Sequence, residues 1–400
     1  MRRPTHALKA SFSAFNVAKA SFSALRPPEE SDFRSAAHHE RVTARVGLWL
    51  GIAFAVCFVT GLLSHFIQQP PAWFTWPAEP VNLYRITQGL HVISGVAAIP
   101  LLLAKLWSVF PKLFSRPIVR NPLHALERGS ILVLSGAAFF ELGTGIFNVA
   151  QNYLWGFYFP TAHYAVAWVA IGSILVHVAV KLPVIRRGLV RLGAPEEEPA
   201  PTRGTLSRRG FLRNTWLASG AAVVATAGAT VPLLRDVSPL AWRSNKGPQG
   251  VPVNKTARAA RVTELATAAD FRLEVLTPAG TSRFSLADLT AMRQATAELP
   301  IACVEGWSQL ATWSGVRIAD LLRAAGSEPG VSLYVVSLER KGLYSRSTLP
   351  GTHTADPDTL LALRLNGETL ALDHGYPCRI IAPSRPGVLQ TKWVRRLEVQ

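Results

Sequence analysis

Histidines inside apolar segments are the residues of this sequence whose spacing most directly indicates chemistry. His163 and His177 lie 14 residues apart in one segment, so on a helix they nearly share a face and differ in depth by about 21 Å. His65 and His91 lie near the ends of two other segments, at the depth expected for His163. Because polar groups inside a bilayer need a partner or a task, this level set of imidazoles predicts ligation of b-type haem iron. The alternative is that the histidines bond only to neighbouring helices or to lipid headgroups.

The histidines belong to four apolar segments, each long enough to cross a bilayer core, which takes about 20 residues. The predicted spans are roughly Val46–Ile67, Ile86–Val109, Ser130–Val149 and Ala162–Val180. A fifth, weaker segment covers Trp216–Leu234. Two charged residues, Lys105 and Glu141, stand out in otherwise almost uncharged spans. A second haem, at the depth of His177, would need another histidine at that depth, and His124 is the only candidate. The pattern therefore favours one haem, at the depth of His163, over two.

The composition excludes several classes of protein. Apolar residues make up 49% of the 400 residues, the mean hydropathy is +0.21, and charged residues make up only 17%, against roughly 25% in soluble domains. Of the net charge of +17, +14 falls in residues 1–250, where the apolar segments lie. A nucleic-acid binder would instead concentrate basic residues on a soluble face, so no nucleic-acid partner is expected. The three cysteines form no CxxC pair and exclude a disulfide scaffold.

The distribution of lysine and arginine predicts the orientation in the membrane. The connection between spans two and three and the region after span four are basic, whereas the other two connections contain only Arg85. By the positive-inside rule, the N-terminus is cytoplasmic and the fifth segment leads the chain out of the cytoplasm. Residues 1–45, which repeat the sequence KASFSA, are predicted to be a basic cytoplasmic tail. An amphipathic helix on the membrane surface is the alternative for this tail.

Residues 207–213, Ser-Arg-Arg-Gly-Phe-Leu-Arg, precede the fifth segment and resemble a twin-arginine export signal. Ordinary positive-inside anchoring is the alternative. Since twin-arginine export carries folded domains, the signal predicts a complex cofactor in the domain that follows. The predicted domains are the membrane domain (46–183), a linker (184–206), the signal and anchor helix (207–235) and a C-terminal domain (240–400).

The pattern changes from about Val251, where short β-rich runs alternate with helical stretches and are punctuated by glycine and proline. The predicted strands are Phe271–Leu276, Leu333–Ser337, Cys378–Ala382 and Lys392–Val399, and the predicted helices are Leu286–Arg293 and Ile318–Ala325. This pattern predicts an α+β domain with a mixed sheet.

Two motifs in this domain carry a specific resemblance. IACVEGW at 301–307 and HGYPCRIIAP at 374–383, the latter continuing into a TKW sequence, together resemble the molybdopterin domain of the sulfite oxidase superfamily. They look closest to the bacterial periplasmic branch that includes methionine sulfoxide reductase catalytic subunits. The membrane segments GLHVISG (89–95) and AHYAVAW (162–168) are similar to bacterial b-type cytochrome membrane subunits.

The resemblance implies roles for individual residues. Cys303 matches the catalytic molybdenum ligand, which suits a soft thiolate. His374 and Arg379 match pterin-binding positions, where a forked guanidinium can hold the pterin phosphate. Further implied cofactor contacts are Asn254, Ser337, Thr391, Lys392 and Trp393. The alternatives are a buried structural Cys303, a core His374 and an ion-paired Arg379.

The sequence therefore predicts an α-helical membrane bundle of four spans plus a fifth anchor or signal span, followed by an α+β sulfite-oxidase-like domain. The predicted function is a molybdopterin-dependent oxidoreductase, integral to the cytoplasmic membrane with its C-terminal domain outside, acting on a small oxo- or sulfur-containing substrate. Mo-molybdopterin and b-type haem are the expected cofactors. The expected partners are the quinone pool or another redox partner, membrane lipid and the twin-arginine export machinery. A haem-free anchor and a non-catalytic membrane binding protein remain alternatives.

Overall fold

A helical bundle precedes a β-rich domain in the computed structural model, which describes residues 29–33, 35–190, 206–241 and 247–400. The long helices are α1 (Glu40–Gln68), α2 (Leu83–Val109), α3 (Pro122–Ala150), α4 (Phe159–Val190) and α5 (Arg208–Thr226). Short helices follow in the C-terminal domain: α6 (Ala257–Ala260), α7 (Thr263–Ala266), α8 (Leu286–Ala291), α9 (Ile318–Ala324) and α10 (Gly351–Thr354). Most of the predicted basic tail (residues 1–28) and most of the predicted linker (191–205) lie outside the described residues.

Helices α1 to α4 are long and apolar enough to cross a membrane, and each contains one predicted span. Their outward faces carry exposed apolar side chains, among them Leu126, Leu132 and Leu175. Such continuous apolar surfaces suit contact with lipid better than contact with water. The four apolar helices that the sequence predicts are therefore present, and they indicate an association with a membrane.

Helix α5 begins where Ser207 caps it, with the Ser207 side chain accepting a hydrogen bond from the Gly210 amide at 3.1 Å. It ends at Thr226, eight residues before the end of the predicted fifth segment, because Gly228 and Pro232 interrupt the helix. The helix lies along α2, where Ser219 donates to the Ala97 carbonyl. It is not among the helices apolar enough to be a candidate span.

The C-terminal domain contains two five-stranded sheets. Its strands are β1 (Arg272–Thr277), β2 (Gly280–Ser285), β3 (Gln294–Ala302), β4 (Ser308–Arg317), β5 (Leu333–Ser337), β6 (Arg346–Leu349), β7 (Leu360–Leu365), β8 (Glu368–Thr369), β9 (Arg379–Ile381) and β10 (Val394–Val399). The first sheet has the order β2-β1-β10-β5-β6, in which β1 and β10 are parallel and the other pairs antiparallel. The second has the order β3-β4-β7-β8, with β9 paired to β7, and its ladders are antiparallel.

The predicted strands and helices of this domain agree with the observed ones to within two residues at each end. The long hairpin β3–β4 was not predicted, because Pro300 and Gly315 interrupt its pattern. A buried apolar core between the sheets includes Leu273, Val335 and Ile380. A second buried cluster, which includes Leu299 of β3 and Ile381 of β9, holds the ends of these two strands in place, and Cys303 and Arg379 lie at those ends.

The C-terminal domain rests on one end of the helical bundle. The Trp76 indole donates to the Ser384 carbonyl at 2.8 Å, and the Tyr344 hydroxyl donates to the Gln68 side chain at 2.8 Å. The contacted end is the one where α1 and α3 finish and α2 and α4 begin. The connections at that end are the ones that are poor in lysine and arginine.

Candidate functional site

Cys303 occupies the first position of a tight turn between β3 and β4. The Cys303 amide donates to the Trp307 carbonyl at 2.8 Å, and the Gly306 amide donates to the Cys303 carbonyl at 3.0 Å. Gly306 has a φ of +92°, as the last residue of such a three-residue hairpin loop requires. The turn of residues 303–307, called the Cys303 turn below, fixes a fully buried thiol at the end of a long hairpin.

Arg379, on β9, lies in the same pocket as Cys303. Its guanidinium donates to the carbonyls of His374 at 3.0 Å and Gln390 at 3.1 Å, and it lies 5.0 Å from the centre of the Trp313 ring. The Arg379 Nε is buried and has no hydrogen-bond partner within the described part of the chain. Burial lowers the pKa of Arg379 to about 9, so the group stays charged at neutral pH. A buried cation with an unused donor is suited to an anionic ligand.

Lys392 and His374 complete the basic wall of this pocket. Lys392 Nζ donates to the carbonyls of Asp373 at 3.0 Å and of Lys255. Burial, with the charge of Arg379 as a second cause, lowers the pKa of Lys392 to about 7 and that of His374 to about 4. His374 is therefore neutral at pH 7, and its Nε2 carries the proton that bonds the Pro248 carbonyl at 2.7 Å.

The other predicted cofactor contacts divide into two groups. Asn254 lines the pocket with Cys303. Ser337, Thr391 and Trp393 lie behind it and bond to protein groups: Ser337 Oγ donates to the Lys392 carbonyl, Thr391 Oγ1 bonds Ser347 Oγ, and Trp393 Nε1 donates to the Leu372 carbonyl. These three side chains are placed to hold the wall in position.

The pocket fits a thiolate-ligated metal and a phosphate in its chemistry, but its volume is only about 10 Å³. Pockets for ligands of cofactor size usually enclose about 300–1,000 Å³. Asn254 and the neighbouring Pro252 and Val253, which lie outside the strands, form one wall of the pocket.

A second cavity, of about 580 Å³, lies within the helical bundle and extends to the C-terminal domain. His91 of α2 and His163 of α4 face each other across it, with ring centres 6.4 Å apart. His65 lines the same cavity but stacks on Tyr164 at 3.8 Å, and His177 is not among the residues that line it. Of the four histidines predicted to bind haem, the structure thus brings His91 and His163 together.

Each of the two facing histidines is contacted at Nδ1 by the helix that precedes its own. His91 Nδ1 lies 2.9 Å from the Cys57 carbonyl oxygen and 3.3 Å from Thr60 Oγ1, and His163 Nδ1 lies 3.0 Å from Thr144 Oγ1. Each threonine is followed by a glycine; a β-carbon at Gly61 would lie 3.0 Å from the His91 ring, whereas one at Gly145 would lie 4.0 Å from the His163 ring, an ordinary contact. The Thr-Gly dipeptide that occurs in both helices, at 60–61 and 144–145, is a local sequence signal for these two histidine contacts that the spacing of the histidines alone does not include.

Glu141 was noted in the sequence only as a charge inside a span. In the structure its Oε2 lies 3.1 Å from His163 Nε2, and its Oε1 is buried without a hydrogen-bond partner among the described residues. The described residues hold no group of three or more histidine, cysteine, aspartate or glutamate side chains suited to a free metal ion. Glu141 thus adds a carboxylate to the facing pair of histidines inside the bundle.

Comparison with known proteins identifies the C-terminal domain. Residues 259–400 match the family model of the oxidoreductase molybdopterin binding domain. The mitochondrial sulfite oxidase of Drosophila melanogaster is 35% identical over 95 residues, covering 22% of this chain and 17% of that protein. The YedZ1 protein of Azospira oryzae, provisionally named a protein-methionine-sulfoxide reductase subunit, is 32% identical over 133 residues, covering 33% of this chain and 50% of that protein.

Among solved structures, the sulfane dehydrogenase SoxCD of Paracoccus pantotrophus matches with 27% identity and a TM-score of 0.30, over 33% of this chain and 38% of that chain. The chain spans less than a fifth of the Drosophila sulfite oxidase and half of the Azospira protein. The family match confirms the predicted molybdopterin-binding oxidoreductase domain over residues 259–400, and the similarity to sulfite oxidase supports a molybdenum-dependent oxidoreductase.

Proposed function

We propose that the protein is a membrane-anchored, extracytoplasmic molybdopterin oxidoreductase that acts on a small oxo- or sulfur-containing substrate. In this proposal it exchanges electrons with the quinone pool through b-type haem. The observation that carries the proposal is the position of the Cys303 turn. It holds a buried thiol against a basic pocket and at the same time rests on α2, which carries His91, and on α3, which carries Thr144, the partner of His163.

In the C-terminal domain the chain supplies a metal ligand and an anion clamp. The Cys303 thiolate would bind molybdenum, and the free donor of Arg379 together with Lys392 would bind the pterin phosphate. Once bound, the molybdenum–pterin group supplies two-electron oxygen-atom transfer. The residues of the chain orient this group and keep its surroundings dry, as the burial of Cys303 and Arg379 favours.

In the bundle, the geometry of His91 and His163 favours their pairing as haem ligands. The Cys57 carbonyl and Thr60 engage Nδ1 of His91, and Thr144 engages Nδ1 of His163, so Nε2 is the atom with which each imidazole would bind iron. His163 Nε2 would exchange its contact with Glu141 for the metal. A separation of 6.4 Å between ring centres leaves room for one metal ion, since metal–imidazole bonds are about 2 Å long. The cavity of about 580 Å³ is also within the size range of cofactor sites.

The path of α5 supports an extracytoplasmic position for the C-terminal domain. Phe211, near the start of α5, packs with Val46 and Leu101 at the basic end of the bundle, whereas Thr230, just after α5, lies near Gly89 at the other end. The chain therefore runs the length of the bundle before it enters the C-terminal domain. Together with the arginine pair at the start of α5, this path favours the twin-arginine signal and a fifth crossing.

A haem-free anchor is the second candidate, and one observation favours it. Glu141 bonds the His163 Nε2 that haem ligation would need, so this nitrogen already has a partner without iron. In this case the bundle would hold the enzyme at the membrane, and a soluble redox partner would replace the quinone pool.

Metal analysis with a reduced-minus-oxidised spectrum of the purified full-length protein tests both candidates. We expect molybdenum, pterin and a low-spin b-type band in the wild type. We expect the band to be lost in His91→Ala and in His163→Ala and to persist in the matched control His177→Ala. Molybdenum without any haem band would establish the haem-free anchor, and absence of molybdenum would overturn the proposed function.

A further inference from the structure

The Cys303 turn is held on the bundle by a pair of side-chain amides. Gln88 of α2 donates its Nε2 hydrogen to the Val304 carbonyl at 3.3 Å, and Asn148 of α3 donates its Nδ2 hydrogen to the same carbonyl at 3.1 Å. Val304 is the residue next to Cys303. Two helices of the bundle therefore converge on one backbone oxygen beside the predicted metal ligand.

Both amides are themselves oriented by tyrosines. The Tyr84 hydroxyl donates to Gln88 Oε1 at 3.4 Å, and the Tyr153 hydroxyl donates to Asn148 Oδ1 at 2.9 Å. Because each amide oxygen accepts from a hydroxyl, each amide nitrogen is turned toward Val304. Tyr84 and Gln88 are buried, so this orientation is protected from competition by water.

The turn also fits the bundle closely at Gly306. A β-carbon at this position would lie 2.9 Å from Val92 Cγ2 and 3.4 Å from Val149 Cγ2. Val92 and Val149 belong to α2 and α3, the helices that carry the two amides. The close approach and the φ of +92° both require glycine, so Gly306 provides evidence for docking that is independent of the hydrogen bonds.

The amides lie about one helical turn from the facing histidines. Gln88 precedes His91 by three residues, and Asn148 follows Thr144, the partner of His163, by four. Residues three or four apart share a helix face, and one turn rises about 5.4 Å. His91 is thus connected to the Cys303 turn through one helical turn and one hydrogen bond, and His163 through one helical turn and two hydrogen bonds.

We infer that Gln88 and Asn148 are positioning residues that set the rate of electron transfer between the bundle and the metal site, by fixing the Cys303 turn on α2 and α3. This inference rests on the proposed function, since it requires haem in the bundle and molybdenum at Cys303. The overall reaction balances. Oxidation of a hydroquinone to a quinone releases two electrons and two protons, and reduction of a sulfoxide to a thioether and water consumes two electrons and two protons.

Flash photoreduction of the full-length protein tests the inference without a substrate. A deazaflavin photoreductant delivers one electron to the haem, and the rate of haem reoxidation reports transfer to the metal site. In Gln88→Leu/Asn148→Leu we expect this rate to fall by about tenfold or more, with molybdenum, pterin and haem contents unchanged. Misplacement by about 1 Å can cost on the order of 100-fold where geometry sets a rate.

Gln68→Leu is the matched control, because Gln68 is an amide at the same interface whose hydrogen-bond partners are Ser64 and Tyr344 rather than the Cys303 turn. We expect its reoxidation rate to equal that of the wild type, whereas Gly306→Ala is expected to reproduce the slow rate. An unchanged rate in the double variant, or equal slowing in Gln68→Leu, would overturn the inference. A wild type without a haem band would overturn the proposed function itself, so the two failures are distinguishable.

Discussion

Replacement of Arg379 by lysine gives a sharp test of the predicted pterin clamp. The guanidinium already donates to the carbonyls of His374 and Gln390 and has one unused donor, Nε, for the phosphate. A lysine ammonium keeps the charge, but its single nitrogen cannot donate hydrogen bonds to the two carbonyls and to an anion at the positions that the guanidinium reaches. The variant therefore loses one charge-assisted hydrogen bond, worth about 1.5–3 kcal/mol.

That loss corresponds to roughly a 10- to 150-fold weaker hold on the pterin, since every 1.4 kcal/mol is a factor of ten. Most of this change is expected in the dissociation rate. The assay is the rate of pterin release from the full-length protein, measured by pterin fluorescence below the onset of unfolding.

Arg385→Lys is the matched control for this measurement. Arg385 is a buried arginine that donates to the carbonyls of Thr348 and Leu389 and also has an unpartnered Nε, but it does not line the Cys303 pocket. We expect pterin release from Arg385→Lys at the wild-type rate. Equal release from the two variants, or no acceleration in Arg379→Lys, would refute the clamp.

Three further predictions concern other parts of the molecule. Burial lowers the pKa of His353 to about 3, so its unfolded state binds more protons between about pH 3 and 6.5 and stability falls on acidification; in His353→Gln, the thermal midpoint should fall less between pH 7 and pH 5. Replacement of both Arg208 and Arg209 by lysine keeps the charge but removes the twin-arginine identity, and the C-terminal domain should then remain protease-protected in spheroplasts; normal exposure would show that the pair acts only as a topological anchor. Thr144→Val should perturb the haem band by removing the partner of His163 Nδ1, whereas an unaltered band would exclude this threonine as an orienting residue.

The sequence was sufficient to predict what depends on local pattern and motif. The apolar runs predicted α1 to α4, and the motifs around Cys303 and Arg379 predicted two side chains that the structure places in one pocket. The early end of α5 also has a local cause, because Gly228 and Pro232 are residues that disfavour a continuing helix.

The remaining features depend on how helices rotate and domains dock, which no local pattern records. Neither the pairing of Glu141 with His163 nor the convergence of Gln88 and Asn148 on Val304 follows from spacing along the chain. The choice of His91 and His163 from four candidate histidines likewise required the cavity. The small volume around Cys303 reflects side-chain packing and was equally inaccessible to sequence reasoning.

The central claim is that Cys303 is the metal ligand of a molybdenum–pterin site, and dye-linked turnover per bound pterin in Cys303→Ala tests it most directly. The assay uses reduced viologen with dimethyl sulfoxide and ferricyanide with sulfite. Cys378→Ala is the matched control, because Cys378 is equally buried but lies outside the pocket and bonds the Val394 carbonyl. We predict near-normal pterin content and abolished turnover in Cys303→Ala, with turnover retained in Cys378→Ala. Wild-type turnover per pterin in Cys303→Ala would contradict the account.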